Sequence, residues 1–151
     1  MAIGETVITI IGNLTSDPEI RTTSQGAQVA SFTIANTPRN FNKQTGQYED
    51  GSTLFMRCSA WNEFGQHCAR SLAKGMRVIA QGRLQQRSYQ AQDGSNRTVV
   101  ELQVDELGPS LRYATAQVHR ISRQDGPVYG NPASPRPTTV NTGAGGWSQQ
   151  P

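Results

Sequence analysis

The stretch RVIAQGRLQQRSYQAQDGSNRTVVELQV, Arg77 to Val104, decides the fold. From Arg77 onward the odd positions carry Arg77, Ile79, Gln81, Arg83, Gln85, Arg87 and Tyr89, whereas Val78, Ala80, Gly82 and Leu84 at the even positions are apolar or small. Successive side chains of a strand point to opposite faces, so this alternation predicts a strand with an apolar inner face and a basic outer one. Asp93-Gly94, between Gln92 and Ser95, is a hairpin turn signal. The returning strand is expected to place Val100, Leu102 and Val104 inward, with Arg97, Val99, Glu101 and Gln103 outside. Guanidinium groups pair with phosphate and an aromatic ring can stack a base, so the outer face suits a nucleic acid. A merely solvated hairpin is the other reading of the same pattern.

Composition limits what surrounds this hairpin. A chain of 151 residues with 34% hydrophobic content holds one domain of about 100 residues. Between Gly126 and Pro151 there are five Gly and five Pro, with Ser, Thr, Asn and Gln filling most of the rest. Such a segment cannot bury enough apolar surface to order itself. The expectation is a folded domain over 1–112 and a Gly/Pro-rich disordered tail over 113–151. Up to Arg112 there are 11 Lys and Arg against 10 Asp and Glu, and from Tyr113 three Arg against one Asp, so the net charge of +3 divides as +1 and +2. A nearly neutral domain needs a local basic face to hold a polyanion, and the hairpin offers one. Cys58 and Cys68, with no secretory signal, point to a reducing compartment and to inert buried thiols, with an oxidised link within or between subunits as the alternative. The longest apolar run, Val7 to Ile11, is too short to span a bilayer. A cytoplasmic protein is expected.

The rest of the chain reads as further strands. Glu5 to Ile11 is apolar or β-branched on both faces, which suggests cover on both sides and, in so small a domain, a second subunit. Ile20 to Thr23 and Gln28 to Asn36 follow, with Phe32 and Ile34 on the core face and Val29, Ser31 and Thr33 on the other. Thr37 to Gly51 reads as a long loop, unusual in carrying Phe41 and Tyr48 among polar residues that cannot bury them, so the rings are either pinned back onto the domain or presented to a ligand. Thr53 to Trp61 places Leu54, Met56, Cys58 and Ala60 on one face and Phe55, Arg57, Ser59 and Trp61 on the other. Either the second face presents rings to a ligand, or Phe55 and Trp61 are core. Asn62 to Lys74 is the one helix expected, capped by Asn62, with Phe64, Cys68 and Leu72 at four-residue spacing and Gly75 at its end. One short helix between the third and fourth strands of a five-stranded all-β pattern is the layout of an OB-fold, a Greek-key barrel.

Four segments then carry a resemblance to a family. IIGNLTSDPEIR (Ile10 to Arg21), AQVASFTIA (Ala27 to Ala35), RCSAWNEFGQHCARSLAKGMRVIAQGRL (Arg57 to Leu84) and GSNRTVVELQVDELG (Gly94 to Gly108) together resemble the bacterial single-stranded-DNA-binding proteins of replication, recombination and repair. The resemblance runs over about Thr6 to Leu111 and implies an OB-fold, a homotetramer built as a dimer of dimers, and sequence-tolerant wrapping of single-stranded DNA in the bacterial nucleoid. Carried over by position, it puts the base-stacking rings at Phe55, Trp61 and Tyr89. A further stacking site falls on Asn40, where neighbouring Phe41 is the candidate ring. Basic contacts are expected from Arg21, Arg39, Arg57, Arg83, Arg87 and Arg97. The tail ends GGWSQQP with no acid after Asp125. An acidic, hydrophobic tip is what such proteins use to recruit replication and repair enzymes, so recruitment through this tail is doubtful and the chain resembles a short-tailed paralogue.

An enzyme is not expected. His67 and His119 are the two histidines, neither is spaced with Cys or carboxylates as a metal set, and the chain has no Gly-rich phosphate loop or nucleophile arrangement, so neither metal nor cofactor is implied. Asp105-Glu106 reads as a solvated pair at a turn after the last strand. The alternative to DNA binding is an oligomeric OB-fold interaction subunit with weak nucleic-acid affinity, which the near-neutral domain and Asn40 favour. A cold-shock-like RNA binder is disfavoured, because such domains do not share the four segments.

Overall fold

The computed structural model describes residues 2–122. Residues 123–151, Trp147 included, lie outside the described residues, and with them most of the tail expected over 113–151. A compact unit, Met1–Ala116, contains every helix and strand described.

Five strands form a closed ring: β1 (Val7–Leu14), β3 (Gln28–Asn36), β6 (Leu54–Trp61), β7 (Arg77–Gln90) and β8 (Asn96–Pro109). The neighbours run β1-β7-β8-β6-β3, and β1 pairs again with β3 to close the barrel. All pairings are antiparallel except β6 with β8. The short β2 (Glu19–Thr22) extends the sheet beyond β3. This is the all-β, OB-type barrel with one helix expected from the sequence. Closure depends on Gly12, because a methyl group there would run into the Ala35 carbonyl oxygen where β1 crosses β3. Gly82 plays the same part against the Gln103 carbonyl, beside the register shift that separates Gln81 and Gly82.

Period-two patterning fills the interior. Ile10, Leu14, Phe32, Ile34, Met56, Cys58, Val78, Ala80, Leu102 and Val104 pack together, and Cys68 and Leu72 join them from the helical segment. Gly65 lets that segment lie directly on the strands, its α-carbon facing the Ala60 carbonyl and the Ala30 amide. Both thiols are free and buried. Burial first, and the nearby Cys68 second, pushes the Cys58 thiol up to about 12, and burial pushes Cys68 up to about 11.

Several local expectations are corrected. The helix α1 runs Asn62–Ser71, shorter than Asn62 to Lys74, with Leu72 at its C-cap. Trp61 is the N-cap and makes no side-chain cap; Asn62 instead turns into the left-handed region at φ 57, and its Oδ1 accepts from the Gln28 amide at 3.4 Å. Asn tolerates that conformation better than most residues, which lets the chain pass from strand to helix without a linker. The expected loop Thr37 to Gly51 is a hairpin of β4 (Arg39–Asn42) and β5 (Gln47–Asp50). Val100 is exposed rather than inward, because β7 and β8 outrun the barrel beyond Leu84 and Leu102 and have no interior to face. Val29 keeps the outward side of β3, in register with Arg21 and Trp61, but is buried there. Asp105 and Glu106 sit within β8, not at a turn beyond it.

Candidate nucleic-acid interface

Cross-strand register assembles the outer face row by row. Thr33, Arg57, Glu101 and Gln85 lie side by side across β3, β6, β8 and β7. In the next row stand Ser31, Ser59, Gln103 and Arg83, followed by Val7 across β1. Arg21, Val29 and Trp61 make a third row over β2, β3 and β6. Arg21, Arg57, Arg83 and Trp61, distant in the chain, therefore share one surface. Phe55 pairs with Ala35 at the other end of β6. Six residue steps along the strand separate it from Trp61, about 20 Å.

The rings on this surface are presented, not packed. Phe55 is 63% exposed, Trp61 40% and Tyr89 47%. The possibility that Phe55 and Trp61 are core is thereby excluded for the single chain. Trp61 Nε1 donates to Gln103 Oε1 at 2.7 Å. The Arg87 guanidinium lies 5.7 Å from the centre of the Tyr89 ring, within cation–π range. Beside Phe55, where Asn36 pairs with Leu54, the β4–β5 hairpin leaves the barrel. Its base is tied by the Gly51 amide donating to the Pro38 carbonyl at 2.7 Å and by a Thr37–Thr53 hydroxyl contact of 2.7 Å. Phe41 and Tyr48 face each other across this hairpin, edge to face at 5.2 Å, and both are exposed. Tyr48 was not among the sequence-derived site residues. The sequence marks Tyr48 beside Phe41 as an unusual ring in a polar segment, and what adds it to the site is the fold about Thr45-Gly46 that sets the two rings opposite each other.

The basic residues fall into two groups. Arg21 and Arg57 are exposed and make no ion pair among the described residues. The others are each matched to an acid. Arg83 donates from Nε and Nη2 to both Asp105 oxygens at 3.1 Å and lies 3.8 Å from Glu5. Arg87 donates to both Glu101 oxygens at 3.3 and 3.1 Å. Arg39 lies 3.3 Å from Asp50 and Arg97 3.6 Å from Asp93. The hydrogen bonds to their carboxylate partners, ahead of charge alone, push Arg83 and Arg87 above the ordinary guanidinium range, so both stay charged at any working pH. Sequence reasoning did not foresee this matching, because for Arg83 and Arg87 it depends on a diagonal reach across the antiparallel register of β7 with β8, and alternation marks only the face. Among the described residues no group of three or more His, Cys, Asp or Glu could hold a metal ion.

Comparison with known proteins gives the surface its context. Residues 6–110 match the model of the single-strand binding protein family. A single-stranded DNA-binding protein of Bifidobacterium longum is 72% identical over 127 residues, covering 84% of this chain and 58% of the relative. The chain thus spans a little over half of that relative's length. One from Mycobacterium tuberculosis is 51% identical over 148 residues, covering 98% of this chain and 90% of the relative. The crystal structure of a small single-stranded DNA-binding protein from Streptomyces coelicolor superposes with a TM-score of 0.62 at 28% identity, over 72% of this chain and 97% of the other. With the barrel, the outward rings and the match over nearly the whole compact unit in agreement, this chain belongs to the single-strand binding protein family.

Proposed function

We infer that this protein binds single-stranded DNA without sequence preference, through stacking of unpaired bases on Phe55, Trp61, Tyr89 and Phe41 and through phosphate contacts from Arg21, Arg39, Arg57, Arg83, Arg87 and Arg97. The observation that carries this reading is the joint exposure of Phe55, Trp61 and Tyr89 on outer strand faces interleaved with guanidinium groups. Stacking on an aromatic side chain is worth about 1–3 kcal/mol per base and is indifferent to base identity, because every base has a π-face. It requires a base released from its duplex partner. Preference for single strands follows from that requirement, and no bond is made or broken, so the protein acts as a binder and not as an enzyme.

The functional form is a homotetramer, a dimer of dimers, acting on DNA in the bacterial cytoplasm during replication, recombination and repair. Supporting assembly, Ile11 and Ile79 pair across β1 and β7 on the outer face and stay exposed, and Val7 extends the patch. A strand apolar on both faces buries one against the barrel and leaves the other for a neighbour. A second site on the same strand then binds at high effective concentration, which is what wrapping uses. No helix of the described residues is long and apolar enough to cross a membrane.

One observation favours the second reading, an interaction subunit with weak DNA affinity: four of the six candidate arginines are matched to carboxylates. Competition separates the two. A labelled single strand held at low salt and displaced by unlabelled single strand, but not by the same sequence as duplex, supports the first. Absence of any complex at low salt supports the second.

A further inference from the structure

Glu101 and Asp105 are in an unexpected place. A surface that holds a polyanion gains from isolated guanidinium groups, yet these carboxylates take the Nε–Nη2 edge of Arg87 and of Arg83 in two-pronged pairs. The Glu101 side chain is only 12% exposed, in the row between Arg57 and Gln85, so it is built into the face and does not trail over it. Asp105 is the extra residue of β8 at the register shift, where Gln81 pairs with Glu106 and Gly82 with Val104. Asp105 also lies two residues past Gln103, the cross-strand partner of Arg83, and its carboxylate reaches that guanidinium diagonally. A carboxylate offers a guanidinium the same planar pair of acceptors as a phosphate does.

We propose that Glu101 and Asp105 are specificity-determining residues: internal competitors that occupy Arg87 and Arg83 until a DNA backbone displaces them. The proposal rests on the single-strand-binding reading and deepens it. Duplex is held through phosphates alone, whereas a single strand also stacks its bases. Placing a competitor on each arginine holds the backbone contribution down, so that stacking decides which form of DNA is retained. It also makes salt dependence shallower than a count of arginines implies. Arg21 and Arg57, which make no ion pair among the described residues, remain the ready backbone contacts.

Titrations of a long single strand and of its duplex across a salt series test this, comparing wild type with Glu101→Gln, Asp105→Asn and the double variant. Both replacements keep size and hydrogen-bonding shape, and Asp105, the more exposed of the two, guards against a folding defect at Glu101. Glu63→Gln, on α1 beside His67, makes the same change of net charge away from the face and serves as control. Each replacement on the face should strengthen single-strand binding roughly threefold, the scale of an exposed ion pair. It should also steepen the logarithmic salt slope by about 0.7 for the single strand and about 0.9 for duplex, and the double variant should retain duplex that the wild type releases. Unchanged or lowered affinity in both single variants, or an equal gain from Glu63→Gln, would overturn the proposal. Failure of wild type and double variant alike to bind single strands at low salt sinks the DNA reading itself, a result distinct from either.

Discussion

The indole nitrogen of Trp61 donates to the side-chain oxygen of Gln103 at 2.7 Å, tying an exposed ring on β6 to the neighbouring parallel strand β8. An exposed ring free to rotate would lose that freedom on stacking a base, whereas one already held loses less. In a Trp147→Phe background, Gln103→Leu should speed the fluorescence anisotropy decay of Trp61. It should weaken single-strand binding by no more than the roughly 0.5–1.5 kcal/mol of one hydrogen bond. Trp61→Ala removes the platform itself and should cost about 1–3 kcal/mol. An equal loss in the two variants would show that the tie, and not the ring, matters.

Assembly through the outer face of β1 and β7 is tested by Ile11→Glu. Ile11 already stands in water in the single chain, so the change should leave the barrel folded. It would place an unpaired charge in any interface formed there, at a cost of about 3–5 kcal/mol. Mass photometry is expected to show tetramers for wild type at micromolar concentration and smaller species for the variant. Tetramers in both would move the interface elsewhere.

The two thiols predict a pH dependence. Their folded pKa values, about 12 for Cys58 and about 11 for Cys68, lie above the ordinary thiol value of 9.0. The unfolded chain therefore loses these protons first as pH rises. The stability they contribute is whole below pH 9, declines above it, and is lost as pH passes the folded values. Native protein should resist alkylation at pH 8 and react at both cysteines once unfolded, and non-reducing gels should show no crosslinked band. Fast labelling of the native protein would contradict the burial.

Barrel closure is tested at Gly12. Gly12→Ala pushes a methyl group against the Ala35 carbonyl, backbone against backbone, where no side chain can yield. The expected loss is roughly 1–3 kcal/mol or more of stability, read by urea unfolding. The same change at Gly94, a left-handed turn glycine with open space around it, strains only the local backbone. It should cost less.

What the sequence shows of this molecule depends on whether one strand's pattern suffices. Arg77 to Leu84 alternates so regularly that the barrel's inner and outer faces can be read from it, and Phe55 and Trp61 share a face by the same rule. The β4–β5 hairpin was hidden because RNFN and QYED bury nothing and carry no apolar alternation. Val100 was misplaced because alternation cannot tell how far a hairpin outruns the core beneath it. The pairing of Arg87 with Glu101 and Arg83 with Asp105 was out of reach for another reason. Each arginine reaches the carboxylate two residues past its own cross-strand partner, Val99 for Arg87 and Gln103 for Arg83, and alternation marks the face without marking that diagonal.

The most direct test of the central claim, that exposed rings on the strand faces hold unpaired bases, is tryptophan fluorescence in the Trp147→Phe background, where Trp61 is the one indole left. Titration with a long single-stranded oligonucleotide at low salt should quench Trp61 strongly, and the same sequence as duplex should leave it nearly unchanged. Equal quenching by both forms, or none by either from intact oligomers, would contradict the account.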